Sequence, residues 1–396
     1  MRTDQQSRFD GIDVLRGLSI FAVILLHITI RMRIAGFRID KTVPEWLAQL
    51  LFWNGNNGVT VFFAISGFLI TTISLRRFGS LAAMRPAAFY RIRFARIAPM
   101  LLLTLAILSV LHLIGAKGFH IEPDRSTLPR ALIAALTFHL NWLEAARGWL
   151  PPNWDVLWSL SIEEMFYLVF PLACVFLLRF RRGTAIFVAL LIALIIVGPL
   201  QRAVWTANPI WREKAYLGGT DCIAFGVLCA LVTDRISLAR MRRWPAWPGI
   251  AGAAMMFLIA LWPSWPWIKP LMRFIGATGI DTSILAFGSC LVMMTTILRG
   301  MKGDPISAPI RWLGRHSYEV YMTHEFIVVW GTQLYVVLYA KELHGPLALW
   351  FCMIAALAVV PGAFAARWVS EPLNRKLRGH TPAAVTSEPV LATGVR

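Results

Sequence analysis

Apolar residues run along this chain in long blocks separated by short polar and basic groups, as in Ile186–Leu200, Ile284–Leu298 and Leu347–Phe364. A helix of about 20 apolar residues spans the roughly 30 Å hydrocarbon layer of a bilayer. The blocks predict membrane helices near residues 12–30, 47–75, 97–116, 162–178, 184–200, 217–233, 247–263, 274–298, 313–339 and 346–368. The expected fold is therefore an all-α integral membrane protein of about ten transmembrane helices. Segment 131–142 is apolar but too short to cross comfortably. Counting it as a span would invert every later loop, so it is placed outside, re-entrant or lying in the interface.

Composition supports the pattern. Hydrophobic residues make up 57% of the 396 positions and charged residues only 15%, against about a quarter charged in soluble domains. Mean hydropathy is +0.62. Several of the 17 Trp stand at block ends, where the membrane interface favours them. The net charge of +18 raises the question of nucleic acid, but the basic residues fall in short groups between apolar blocks. Examples are Arg76/Arg77, Arg91/Arg93/Arg96, Arg179/Arg181/Arg182, Arg240/Arg242/Arg243 and Arg375/Lys376/Arg378. With the N-terminus inside, the larger share of Lys and Arg lies on the cytoplasmic side, which puts both termini in the cytoplasm. Arg31 and Arg33, just beyond the first span, go against that rule. No zinc finger, phosphate loop or basic zipper accompanies the charge, so nucleic-acid binding is not expected. The five cysteines sit in apolar stretches without metal-like spacing, and no metal is expected. The N-terminus lacks the form of a cleaved signal peptide. Residues 376–396 are expected to form a disordered cytoplasmic tail.

Ionisable groups inside a bilayer are costly and mark functional candidates. In the first helix, Arg16 and His27 are eleven residues apart, which brings them to within roughly 20° of one face and about 16 Å apart along the axis. Asp13 lies one turn before Arg16. A neutral imidazole can remove a proton from an attacking hydroxyl near pH 7; it can equally hydrogen-bond a neighbouring helix, with Arg16 an inner anchor. Spacing alone leaves both readings open. Ser66-Gly67 favours close helix approach over nucleophilic chemistry, because no base lies nearby in sequence. Arg93 and Arg96 share a helix face and suit phosphate groups or anionic lipid. Ser161 and Glu164 fit a capping box, whereas Glu163 has no such structural reason and is placed on the outer side, near the depth of His27. Trp158 and its neighbours could stack on sugar rings or form an interfacial belt. Asp221 heads an otherwise apolar helix. Farther on, Arg315 and Glu319 can pair at one-turn spacing, and Tyr321 and His324 lie deeper, facing a cavity or bracing the bundle.

Taken in order, these segments resemble the acyltransferase-3 family of bacterial membrane O-acyltransferases over residues 8–375. The matching pieces are Asp13-Val14-Leu15-Arg16-Gly17 with His27 in an Arg-x10-His arrangement, Gly58 through Ser66-Gly67-Phe68-Leu69-Ile70, and Arg93-x-x-Arg96-Ile97-x-Pro99. Further matches are Trp158-Ser159-Leu160-x-x-Glu163-Glu164-x-Phe166-Tyr167, Leu313-Gly314-x-x-Ser317-Tyr318-x-x-Tyr321-x-x-His324 and Glu371-Pro372-Leu373. The resemblance implies a multi-pass enzyme of a bacterial-type inner (cell) membrane. It would move an acyl group, expected to be acetyl, from cytosolic acyl-CoA to a hydroxyl of a carbohydrate-like acceptor. It places the essential pair on Arg16 and His27, the inner arginine motif on Arg93 and Arg96, and a further motif on Trp158, Ser159 and Glu163. Thr220-Asp221 departs from the pattern, since many members have an Arg before the Asp. No appended esterase-like domain is read here. The competing expectation is a transporter or flippase for a lipid-linked sugar, whose paired inverted repeats are not evident.

Overall fold

The computed structural model describes residues 9–205, 207–236, 244–261, 269–339 and 346–378, which are helical with connecting turns and contain no strand. The helices are α1 (Asp10–Ile34), α2 (Glu45–Phe52), α3 (Gly55–Phe78), α4 (Pro86–Leu113), α5 (Leu128–Leu136), α6 (Leu140–Arg147) and α7 (Pro152–Asp155). Then come α8 (Trp158–Leu177), α9 (Gly183–Val204), α10 (Pro209–Lys214), α11 (Tyr216–Arg235), α12 (Trp247–Leu261) and α13 (Lys269–Ala277). The chain closes with α14 (Ile280–Leu298), α15 (Ala308–Arg315), α16 (Ser317–Tyr339), α17 (Leu347–Leu357), α18 (Val360–Ala365), a π turn (Ala366–Ser370) and α19 (Glu371–Arg378).

Among the described residues, 8 helical stretches are long and apolar enough to cross a membrane. Two of the ten expected spans are not among them. α12 has 15 residues, about 22 Å of rise, and α16 has the length but carries Glu319, Thr323, His324 and Glu325. Several predicted boundaries also move. The expected span 47–75 is two helices, because the chain turns at Trp53–Asn54 before α3 begins. The third expected span starts at Pro86, not residue 97, since a proline at the first turn opens a helix readily; Arg91, Arg93 and Arg96 therefore lie on the helix itself. Expected span 274–298 breaks at Gly279, whose φ of 66° suits glycine. Segment 131–142 becomes parts of α5 and α6, 9 and 8 residues long, each too short to cross. Of the expected tail, residues 376–378 finish α19 and 379–396 lie outside the described residues, as do Arg240, Arg242 and Arg243.

The core is assembled around α1, which packs on α3, α15 and α16, while α3 packs on α11. Glycines permit this closeness. A Cβ at Gly67 would collide with the Ile223 carbonyl of α11, and one at Gly314 with the Asp13 carbonyl of α1. Small residues serve membrane helices in this way because lipid offers no hydrophobic drive for association. α9 shows the opposite face, with Ile186, Leu190, Ile196 and Leu200 exposed, as a lipid-facing helix requires. Four cysteines are buried and Cys352 is exposed, all five as free thiols.

Candidate active site

α1 presents Arg16 and His27 toward α16, as their spacing predicts, yet the two side chains belong to different clusters. His27 Nδ1 lies 2.6 Å from His324 Nε2, with the rings 12° from parallel. On the far side of the His324 ring, Nδ1 is 2.8 Å from the Tyr321 carbonyl and 3.2 Å from that of Val320. A carbonyl only accepts, so this nitrogen carries the proton. His324 Nε2 therefore accepts from His27 Nδ1–H, and the network assigns the free lone pair to His27 Nε2. Glu325 stands beside them, with Oε1 3.5 Å from His27 Nδ1 and 3.7 Å from the Arg31 guanidinium. Both Glu325 oxygens are buried without a hydrogen-bond partner. Arg31, anomalous for the charge rule, thus has a counter-ion. The ligand atoms of His27, His324 and Glu325 lie within 4.8 Å of one another. Two nitrogens on one tetrahedral ion stand roughly 3.3 Å apart, so the imidazole pair has hydrogen-bond spacing, with a fixed cation alongside.

His27 opens on a recess of about 20 Å³ lined also by Asn56, Val156, Trp158 and Tyr321. The Tyr321 hydroxyl donates to the Val156 carbonyl at 2.9 Å and is 2.8 Å from Ser159 Oγ. Candidates Trp158, Ser159, Tyr321 and His324 therefore gather around His27. Behind Trp158 lies an ion cluster that sequence reasoning did not single out. The buried Lys214 ammonium meets Glu144 at 2.9 Å and also Asp155, with the rings of Trp149 and Trp158 at 4.1 and 5.5 Å. Two carboxylates within a Trp- and Pro-rich stretch and a lysine 59 residues beyond the second were the available signal; their meeting depends on α6, α7 and α10 packing together.

The Arg16 end of the stripe holds paired charges. Arg16 donates to Ser317 Oγ at 3.0 Å. Arg96 pairs with Glu319 at 2.8 Å, and Ser370 Oγ donates to the same carboxylate at 2.6 Å. Arg93 pairs with Glu164 at 3.1 Å and lies 3.7 Å over the Tyr167 ring. Three expectations are corrected here. Glu164 forms no capping box, because α8 begins at Trp158 and carries Glu164 to Arg93. Glu319 pairs across helices with Arg96, leaving Arg315 to Asp13 at 3.8 Å. Glu163 hydrogen-bonds Ser66 and lies within the field of Arg93 and Arg16, so it belongs to this end and not to the depth of His27. Ser66 Oγ, for which no neighbour was foreseen, hydrogen-bonds the Tyr167 hydroxyl. Asp221 stands apart from both clusters, held by Arg202 at 2.7 Å and by Ser283 at 3.0 Å; α9 supplies the arginine that residue 220 does not.

Over residues 9–366 the chain matches the acyltransferase-3 family, described as an acyltransferase domain. The chain belongs to that family. It is 26% identical over 355 residues, 84% of this chain and 51% of the relative, to the peptidoglycan O-acetyltransferase OatA of Listeria monocytogenes serovar 1/2a. It is 28% identical over 200 residues, 48% of this chain and 28% of the relative, to O-acetyltransferase OatA of Staphylococcus aureus strain NCTC 8325. The chain spans about half the length of the first of these relatives, and less of the second. No solved structure matches it. It is a multi-pass membrane member of that family, and the alternative of a lipid-linked sugar transporter finds no support among these relatives.

Proposed function

We propose that this protein transfers an acetyl group from cytosolic acetyl-CoA to a hydroxyl of an extracytoplasmic carbohydrate, working in a bacterial-type inner membrane through ten spans with both termini inside. α12 and α16 complete that number, α16 hiding its polar groups against α1 and α4. The observation that supports the reading is the 2.6 Å contact of His27 Nδ1 with His324 Nε2 beside a recess between α1, α3, α8 and α16, an arrangement in which His27 Nε2 can serve as the proton acceptor. In the transfer, His27 takes the proton from the acceptor hydroxyl, the oxygen attacks the thioester carbonyl, and coenzyme A leaves as the thiolate. Trp158 and Tyr321 shape the space beside it, and Ser159 holds the Tyr321 hydroxyl.

The donor enters from the Arg16 end. Arg93 keeps an unpartnered buried Nε–H, and a phosphate oxygen suits such a donor; Arg96 and Arg16 raise the positive potential of the same region. Asp13 and Glu163 balance those cations, with Ser66 and Tyr167 completing the polar wall. Purified protein in nanodiscs, given acetyl-CoA and a panel of glycans, tests the proposal by mass spectrometry of acetylated product beside the release of free coenzyme A. Acceptor-dependent release with product formation is expected. Neither release nor product with any glycan in the panel refutes it.

A further inference from the structure

The His27 recess is too small for a sugar. At about 20 Å³ it admits roughly one water or one hydroxyl, so the body of any acceptor must be held elsewhere. An open surface hollow of about 660 Å³ lies nearby, large enough for a saccharide unit. Its lining includes Lys117, His120, Glu122, Arg125, Trp149 and Pro152. Pro152 opens α7 and Val156 closes it against the recess, four residues or about 6 Å on. Trp149 connects the two hollows a second way, since Lys214 sits between its ring and that of Trp158.

The lining combines hydrogen-bond donors (Lys117, His120, Arg125), an acceptor (Glu122) and an aromatic face left 48% exposed at Trp149. A saccharide offers the complement, hydroxyls around its rim and C–H groups on its face. The wall is anchored. Phe119 is fully buried against Phe326 and Trp330, Gln333 donates to the Lys117 carbonyl at 2.8 Å, and Arg125 donates to the Arg147 carbonyl at 3.1 Å.

Resting on the acyl-transfer reading above, we infer that this cavity is a saccharide subsite for the units adjoining the one that is acetylated. The acceptor is accordingly an oligo- or polysaccharide chain and not a free monosaccharide or small glycoside. The test uses the full chain in nanodiscs with acetyl-CoA and two acceptors, an N-acetylglucosamine–N-acetylmuramic acid disaccharide and a strand of four such disaccharides. Wild type is expected to show a kcat/KM at least tenfold higher for the strand. Trp149→Ala is expected to bring the strand-to-disaccharide ratio near one, chiefly through KM. Glu122→Ala, an exposed change that leaves packing intact, should shift the ratio the same way by a smaller factor. A wild-type ratio of one, or a ratio unmoved in both variants, overturns the subsite while leaving acyl transfer standing. Transfer to neither of these acceptors, while another glycan of the panel is acetylated equally well as monomer and as polymer, overturns the subsite and leaves acyl transfer standing; transfer to no glycan at all removes both proposals.

Discussion

The two ends of the α1–α16 seam are both polar and both enclosed, yet they are finished differently. At the Arg16 end each cation meets a carboxylate or hydroxyl: Arg96 with Glu319, Arg93 with Glu164, Arg16 with Ser317. At the His27 end two imidazoles face each other and the Glu325 carboxylate, 3.7 Å from Arg31, has no hydrogen-bond partner. A buried ion pair holds a structure together because removing one partner leaves a desolvated charge. A buried neutral imidazole with an open nitrogen contributes little of that kind, and its value is chemical. The same seam thus has a salt-bridged end, on the side where the donor enters, and a proton-accepting end.

That contrast can be broken from either side. His27→Ala should lower acetyl transfer by about 10²- to 10⁴-fold while leaving the melting temperature of the detergent-solubilised protein nearly unchanged; full activity in this variant defeats the proposed chemistry. Glu319→Ala should do the reverse first. It strands Arg96 and should cost on the order of 3–5 kcal/mol of stability, read as a lower melting temperature that Ser370→Ala reproduces only weakly.

Finer tests act within the proton-accepting end. His324→Ala removes the acceptor that fixes the His27 tautomer, with an expected loss of roughly tenfold or more in kcat. His324→Gln, whose amide oxygen can still accept from His27 Nδ1–H, should recover part of it, and equal loss in both variants would remove the positioning role. The smallest effect is expected from Asp221→Asn, about 1–3 kcal/mol of stability from the weakened Arg202 contact, with turnover per folded molecule unchanged. A selective drop in turnover there would move Asp221 from bracing to catalysis.

Much of this molecule was legible in order along the chain. Apolar block length gives membrane helices because hydrocarbon thickness sets a length for them, and eleven-residue spacing puts Arg16 and His27 on one stripe because an α-helix repeats every 3.6 residues. The anomaly at Arg31 was also visible, though not its cause. Glu163 and Glu164 could not be separated in sequence: adjacent residues point about 100° apart on a helix, and the facing helices alone show that one meets Ser66 and the other Arg93.

By itself the sequence determined an all-helical membrane protein, the stripe carrying Arg16 and His27, and the ordered motifs that mark the acyltransferase-3 family. Tertiary structure alone decided that His27 pairs with His324, 297 positions away, that Lys214 meets Glu144 and Asp155, and that Arg96 takes Glu319 from Arg315. The reason is physical. Helical periodicity is a local property of the backbone, whereas the partner of a buried polar group depends on which helix lies opposite and at what rotation, and only the packed bundle sets that.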